Sequence, residues 1–132
     1  MKRPFCITIV LPLLLVALLG LALAAPPKKT PELLAQGKKT FEETCATCHG
    51  SNGDGKGPAG AALKPLPTDF RKPLEEWPNT KGNVQKVFDV ISKGIPNSAM
   101  IAWTQFSEEQ RRAVAYRVVE FASSSKTPAK KK

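Results

Sequence analysis

The sequence predicts an all-α domain with three main helices and long loops. Three observations predict it. Apolar residues recur at helical spacing in three segments, each opened by a capping residue. No segment alternates with the period of two that marks a strand, and no internal repeat is visible. Between the helical segments lie glycine- and proline-rich stretches that exclude regular structure.

The first helix starts at Thr30-Pro31-Glu32, with a Thr cap, Pro at the first helical position and an acid in the first turn. Leu33, Leu34, Gly37, Phe41 and Cys45 follow at helical spacing. Gly37 in mid-helix costs about 1 kcal/mol relative to Ala, a cost that close approach of another helix would offset. Residues 50–67 are loop, because Gly50, Gly53, Gly55, Gly57, Pro58, Gly60, Pro65 and Pro67 interrupt any regular element. Residues 68–82, with Pro73, Pro78 and Gly82, read as irregular too.

The second helix runs from an Asn83 cap to about Lys93, where Gly94 stops it. Val84, Val87, Phe88 and Ile91 share its apolar face. Ile95-Pro96-Asn97-Ser98 then turns the chain toward Met100. The third helix opens on Ser107-Glu108-Glu109-Gln110, a capping box. Val114, Val118 and Phe121 form its stripe, and Ser123-Ser124-Ser125 ends it.

The flanks carry different information. Lys2 and Arg3 precede a long apolar run that closes on Ala22-Leu23-Ala24, the order of a secretory signal peptide cleaved after Ala24. The alternative is an uncleaved membrane anchor, since the run is close to the ~20 residues a bilayer needs. Either reading directs the domain to the periplasm or another exported location. Cys6 precedes the run and is a passenger in it. The expected organisation is therefore a signal over residues 1–24, a flexible lead-in over 25–29, the domain over 30–125 and a basic tail over 126–132.

The whole chain carries a formal charge of +9, and Lys28, Lys29, Lys126, Lys130, Lys131 and Lys132 sit near its ends. These lysines are either solvated tails or handles that attract an acidic partner protein or an anionic membrane surface. Nucleic acid is not expected: export argues against it, and no basic helix is interleaved with stacking aromatics.

Short helices and long loops bury little apolar surface, so a small domain of this kind needs a staple or a cofactor. Cys45-Ala46-Thr47-Cys48-His49 supplies one. C-x-x-C-H is a signature of covalent haem attachment. On a helix, positions i, i+3 and i+4 share a face, so the thiols of Cys45 and Cys48 can form thioethers to one edge of a porphyrin while His49 ligates the iron. A thioredoxin-like redox pair would need a βαβ context, which is missing. A zinc site would need a fourth soft ligand nearby.

Counting narrows the second axial ligand. His49 is the chain's single histidine, and Met100 is its single methionine besides Met1. Met100 follows a turn that would press its thioether toward the iron. A lone methionine also serves as core filler, and Lys93 is a further ligand alternative, at the cost of losing a proton.

The ordered set of motifs resembles the class I, monohaem cytochromes c over nearly all of the chain beyond residue 24. Gly37 and Phe41 match the N-terminal helix, Cys45 to Gly50 the haem motif, and Ala115-Tyr116 the C-terminal helix. The segments Gly53-Asp54-Gly55-Lys56-Gly57-Pro58-Ala59-Gly60 and Pro67-Thr68-Asp69-Phe70 resemble the loop of many bacterial members. Residues 94–100 resemble the methionine loop. The resemblance implies a cytochrome c-like fold wrapped around one covalently bound haem c, with His49 and Met100 as axial iron ligands. It implies that the terminal helices cross at Gly37 and Phe41 against the Tyr116 region. It also implies that the Pro58 carbonyl accepts the His49 N–H, and that Trp103 packs beside the haem, a place it would equally take as core. Family members commonly carry Pro after the ligand Met, where this chain has Ile101.

The function implied is electron transfer, not catalysis, because two filled axial positions leave the iron no open site. The alternatives are a haem subunit of a larger oxidase or dehydrogenase, and a haem enzyme whose Met100 dissociates.

Overall fold

The computed structural model describes residues 28–125. The signal segment, residues 25–27 of the lead-in and the basic tail lie outside the described residues.

Helix α1 spans Pro31–Thr40. The Thr30 hydroxyl accepts the Leu33 N–H at 3.2 Å, so the cap forms where its residue type places it. The helix does not continue as α to the haem motif. Phe41–Cys45 forms a π-turn, in which the Ala46 N–H reaches back to the Phe41 carbonyl, and α2 follows over Ala46–His49. The expected unbroken helical spacing through Cys45 is thus corrected by one wide turn. The wide turn sets α2 out of phase with α1 while Phe41 stays fully buried.

Two 3₁₀ turns, Gly60–Ala62 and Leu74–Glu76, punctuate the loops. Helix α3 spans Val84–Lys93, with the Asn83 side chain accepting the Lys86 N–H at 3.0 Å. Gly94 follows it at φ 71°. Helix α4 spans Glu108–Ser125. Its capping box is reciprocal: the Ser107 N–H donates to Gln110 Oε1 at 2.8 Å, and the Gln110 N–H donates to Ser107 Oγ at 3.1 Å. No strand occurs among the described residues, and no helix there is long and apolar enough to cross a membrane.

α1 and α3 both pack on α4. The α1–α4 crossing is centred on Gly37 and the backbone of Ala113, one turn before Tyr116, where the family resemblance put it. Between α3 and α4 the buried Arg112 lies over the Phe88 ring at 4.3 Å. Its guanidinium donates to Gln85 at 3.1 Å and to Glu108 at 3.0 Å, strapping the two helices together.

One core joins these helices: Phe41, Trp77, Val87, Ile91, Val114, Ala115, Val118 and Phe121. Trp77 enters it from a loop. Its ring is 1% exposed and its indole N–H donates to the Lys72 carbonyl at 3.1 Å, so the polar end is satisfied where the ring is dry.

Candidate functional site

The site begins with the four residues of α2. A helix end leaves its last carbonyls without intrahelical partners, and in α2 that means every one. The glycine-rich loop answers all four. The Ala46 carbonyl accepts from Gly50 at 2.8 Å, Thr47 from Ala59 at 3.0 Å, Cys48 from Gly57 at 3.1 Å and His49 from Gly55 at 2.8 Å. Glycine is required for this approach: a Cβ on Gly57 would lie 2.4 Å from the Ala46 and Thr47 oxygens. The loop is therefore the cap that holds Cys48 and His49 in place.

Cys45 and Cys48 are unpaired thiols, each half-buried. Burial pushes the Cys45 thiol up to about 11, with a smaller push from Cys48. Burial lowers the pKa of the His49 imidazole, while the Thr68 backbone acts more weakly in the opposite sense. Nδ1 of His49 is itself buried and has no hydrogen-bond partner, so the Thr68 contact is an approach and not a formed bond at that atom. The bond expected from the Pro58 carbonyl is likewise not made. The flanking amides of Gly57 and Ala59 are committed to α2, and Pro58 lies exposed between them.

Cys45, Met100 and Trp103, distant in sequence, all pack against the one apolar core. Met100 is delivered by a tight loop. Ile95 N–H donates to the Met100 carbonyl at 2.8 Å, Ser98 Oγ–H donates to the Ile95 carbonyl at 2.8 Å, and the Met100 N–H donates to Ser98 Oγ at 3.1 Å. Asn97 takes φ +57° at the tip. The Trp103 N–H donates to the Ile91 carbonyl at 2.9 Å, tying the loop's far end to α3. The Trp103 ring stacks on Phe106 at 5.4 Å. Ile101, where the family commonly has Pro, is 58% exposed.

A family model described as cytochrome C oxidase, cbb3-type, subunit III matches residues 32–116. The chain belongs to this family of cytochrome c domains. A cytochrome c domain of this family implies covalently bound haem c. The residues present suit that group: two free thiols three positions apart and a largely buried imidazole whose Nδ1 makes no hydrogen bond. A solved structure of a reducing HAO-like protein complex from Kuenenia stuttgartiensis is similar, with 31% identity and a TM-score of 0.57. The match covers 74% of this cytochrome and 44% of that chain, so the cytochrome spans less than half of that longer chain. A search of curated proteins finds no match.

Two aromatics of the site lie outside the predicted helices: Phe70, which closes the Pro67–Phe70 segment of the family resemblance, and Trp77, which belongs to no motif. Phe70 stacks on the His49 ring with centroids 4.6 Å apart, and its ring also meets Trp77, tilted, at 5.2 Å. Both aromatics lie in irregular chain, where no periodicity marks a buried face. Their burial has only bulk as a pointer: large aromatics in a small domain are seldom left in solvent.

Proposed function

We propose that this cytochrome is an exported one-electron shuttle whose haem iron is held by His49 and Met100. The observation that carries the reading is the convergence of Cys45 and Met100 on one apolar cluster. When bound, the haem would supply one-electron chemistry, its iron taking an electron from a donor and passing it to an acceptor. Cys45 and Cys48 would tether it, His49 would offer its imidazole, and the methionine loop a thioether that needs no deprotonation. A thioether ligand in an apolar pocket favours the reduced iron and raises the potential. The formal charge, +9 for the whole chain and +7 without Lys2 and Arg3 of residues 1–24, suits acidic docking surfaces on donor and acceptor, or an anionic membrane surface. The sequence of residues 1–24 supports export, and intact mass of the native protein distinguishes cleavage after Ala24 from a retained anchor.

The test of ligation is spectroscopic and potentiometric. The oxidised protein should show the weak far-red charge-transfer band of iron–methionine ligation. Met100→Ala should lower the midpoint potential and open the iron to cyanide or carbon monoxide. An unchanged spectrum and potential in Met100→Ala would overturn the reading.

A second reading has its own support, because the similar solved chain is longer and comes from a multi-protein complex. In that reading the cytochrome is a subunit of a larger redox assembly. Size-exclusion of native extract separates the two: a free shuttle elutes at the size of the single chain, and a subunit co-elutes with its complex.

A further inference from the structure

We infer that Phe70 is a positioning residue for the haem ligand, the wall that fixes the rotational setting of the His49 imidazole. The inference rests on His49 being an axial ligand and names what orients it. The two rings lie 4.6 Å apart and within 21° of parallel. An imidazole so stacked cannot turn about its Cβ–Cγ bond without driving an edge into the Phe70 face. Nδ1 of His49 makes no formed hydrogen bond and the Thr68 backbone acts on the ring only weakly, so the stacked Phe70 face is the close constraint on that angle.

Phe70 is itself held from several directions. Its N–H donates to the Gly53 carbonyl at 2.7 Å. Its ring meets Phe41 edge-on at 6.5 Å, Trp77 at 5.2 Å and Phe121 at 6.4 Å. The next turn is clasped by Arg71, which donates Nε and Nη2 to the two Asp69 carboxylate oxygens at 2.9 Å each. A Cβ on Gly55 would lie 2.5 Å from the Pro67 carbonyl, so the loop that caps α2 and the segment that carries Phe70 touch backbone to backbone. The histidine and its wall therefore belong to one rigid unit.

The plane of an axial imidazole decides how the unpaired electron of low-spin ferric iron is distributed over the porphyrin. Electron paramagnetic resonance g values and the spread of haem-methyl proton shifts both read that plane. The test compares haem-loaded full-chain variants by these two spectra and by thermal unfolding. Phe70→Leu should shift the largest g value and reorder the haem-methyl resonances. Phe70→Tyr, which keeps the ring, should restore the wild-type pattern. Leu33→Ala, a buried change outside the cluster that holds Phe70, should lower the unfolding midpoint and leave both spectra in place. If Phe70→Leu does not accumulate, Phe70→Met replaces it, being apolar and flexible without a flat face. Wild-type spectra in Phe70→Leu, or equal shifts in Leu33→Ala, would reduce Phe70 to a core residue and overturn the inference. His49→Ala separates the two levels. If it stays low-spin, the ligand assignment fails; if it turns high-spin while Phe70→Leu is silent, the positioning role alone fails.

Discussion

A Cβ placed on Gly37 would lie 2.1 Å from the carbonyl oxygen of Ala113. The obstacle is backbone in the middle of α4, which has no rotamer by which to yield. Gly37→Ala should therefore destabilise the haem-loaded protein by about 1–3 kcal/mol, the range for overpacking, although Ala is the better helix former. For a domain of this size the unfolding midpoint should fall by several degrees. A midpoint at or above wild type would mean that the two helices can part without loss.

Trp77 is the largest fully buried side chain. Trp77→Ala should cost roughly 3–5 kcal/mol, read as a shift of the urea midpoint. Trp77→Phe keeps most of the apolar contact but strands the Lys72 carbonyl, and should cost less. Equal losses in the two variants would place the whole effect in the indole hydrogen bond.

Cys45→Ala/Cys48→Ala should abolish covalent haem. Cys45 is packed against the core and Cys48 is held by the loop amides, so each thiol has its own structural support and no cysteine elsewhere in the described residues replaces it. A denaturing gel stained for haem peroxidase activity decides this. Haem migrating with the double variant would contradict the attachment site.

The Asp69–Arg71 clasp sets a pH dependence. The hydrogen bond from Arg71 holds the Asp69 carboxyl below the usual carboxylate range. A depressed folded pKa gives stability that is present above the unfolded value, near 3.8, and lost as pH falls through the lower folded value. Arg71 is exposed and Asp69 only partly buried, so solvent screening keeps the effect small. Asp69→Asn should remove that acid-limb contribution, with its carboxyl titration by nuclear magnetic resonance in wild type lying below that of a free aspartate.

Much of the fold was legible because it rests on local chemistry. Thr30, Asn83 and the Ser107–Gln110 pair are caps whose partners lie three residues away, so residue type and spacing suffice to place them. The Val114, Val118 and Phe121 stripe is buried as its spacing implies. The haem motif was legible because its five residues are contiguous. What escaped depends on tertiary contact. The π-turn before Cys45 has the residue composition of an ordinary helix. Phe70 and Trp77 sit in loops, and their burial follows from the aromatic cluster they complete, not from any periodic pattern.

The four amides that answer α2 come from positions 50, 55, 57 and 59. That arrangement makes the stretch from Ala46 to Gly60 a closed cassette with fixed spacing on both strands of contact. An inserted or deleted residue inside it would put the downstream amides out of register together, because each is matched to its own carbonyl. The five-residue motif that announces the haem is thus only the visible edge of a longer unit, and the tolerance for change usually granted to a surface loop does not extend to this one.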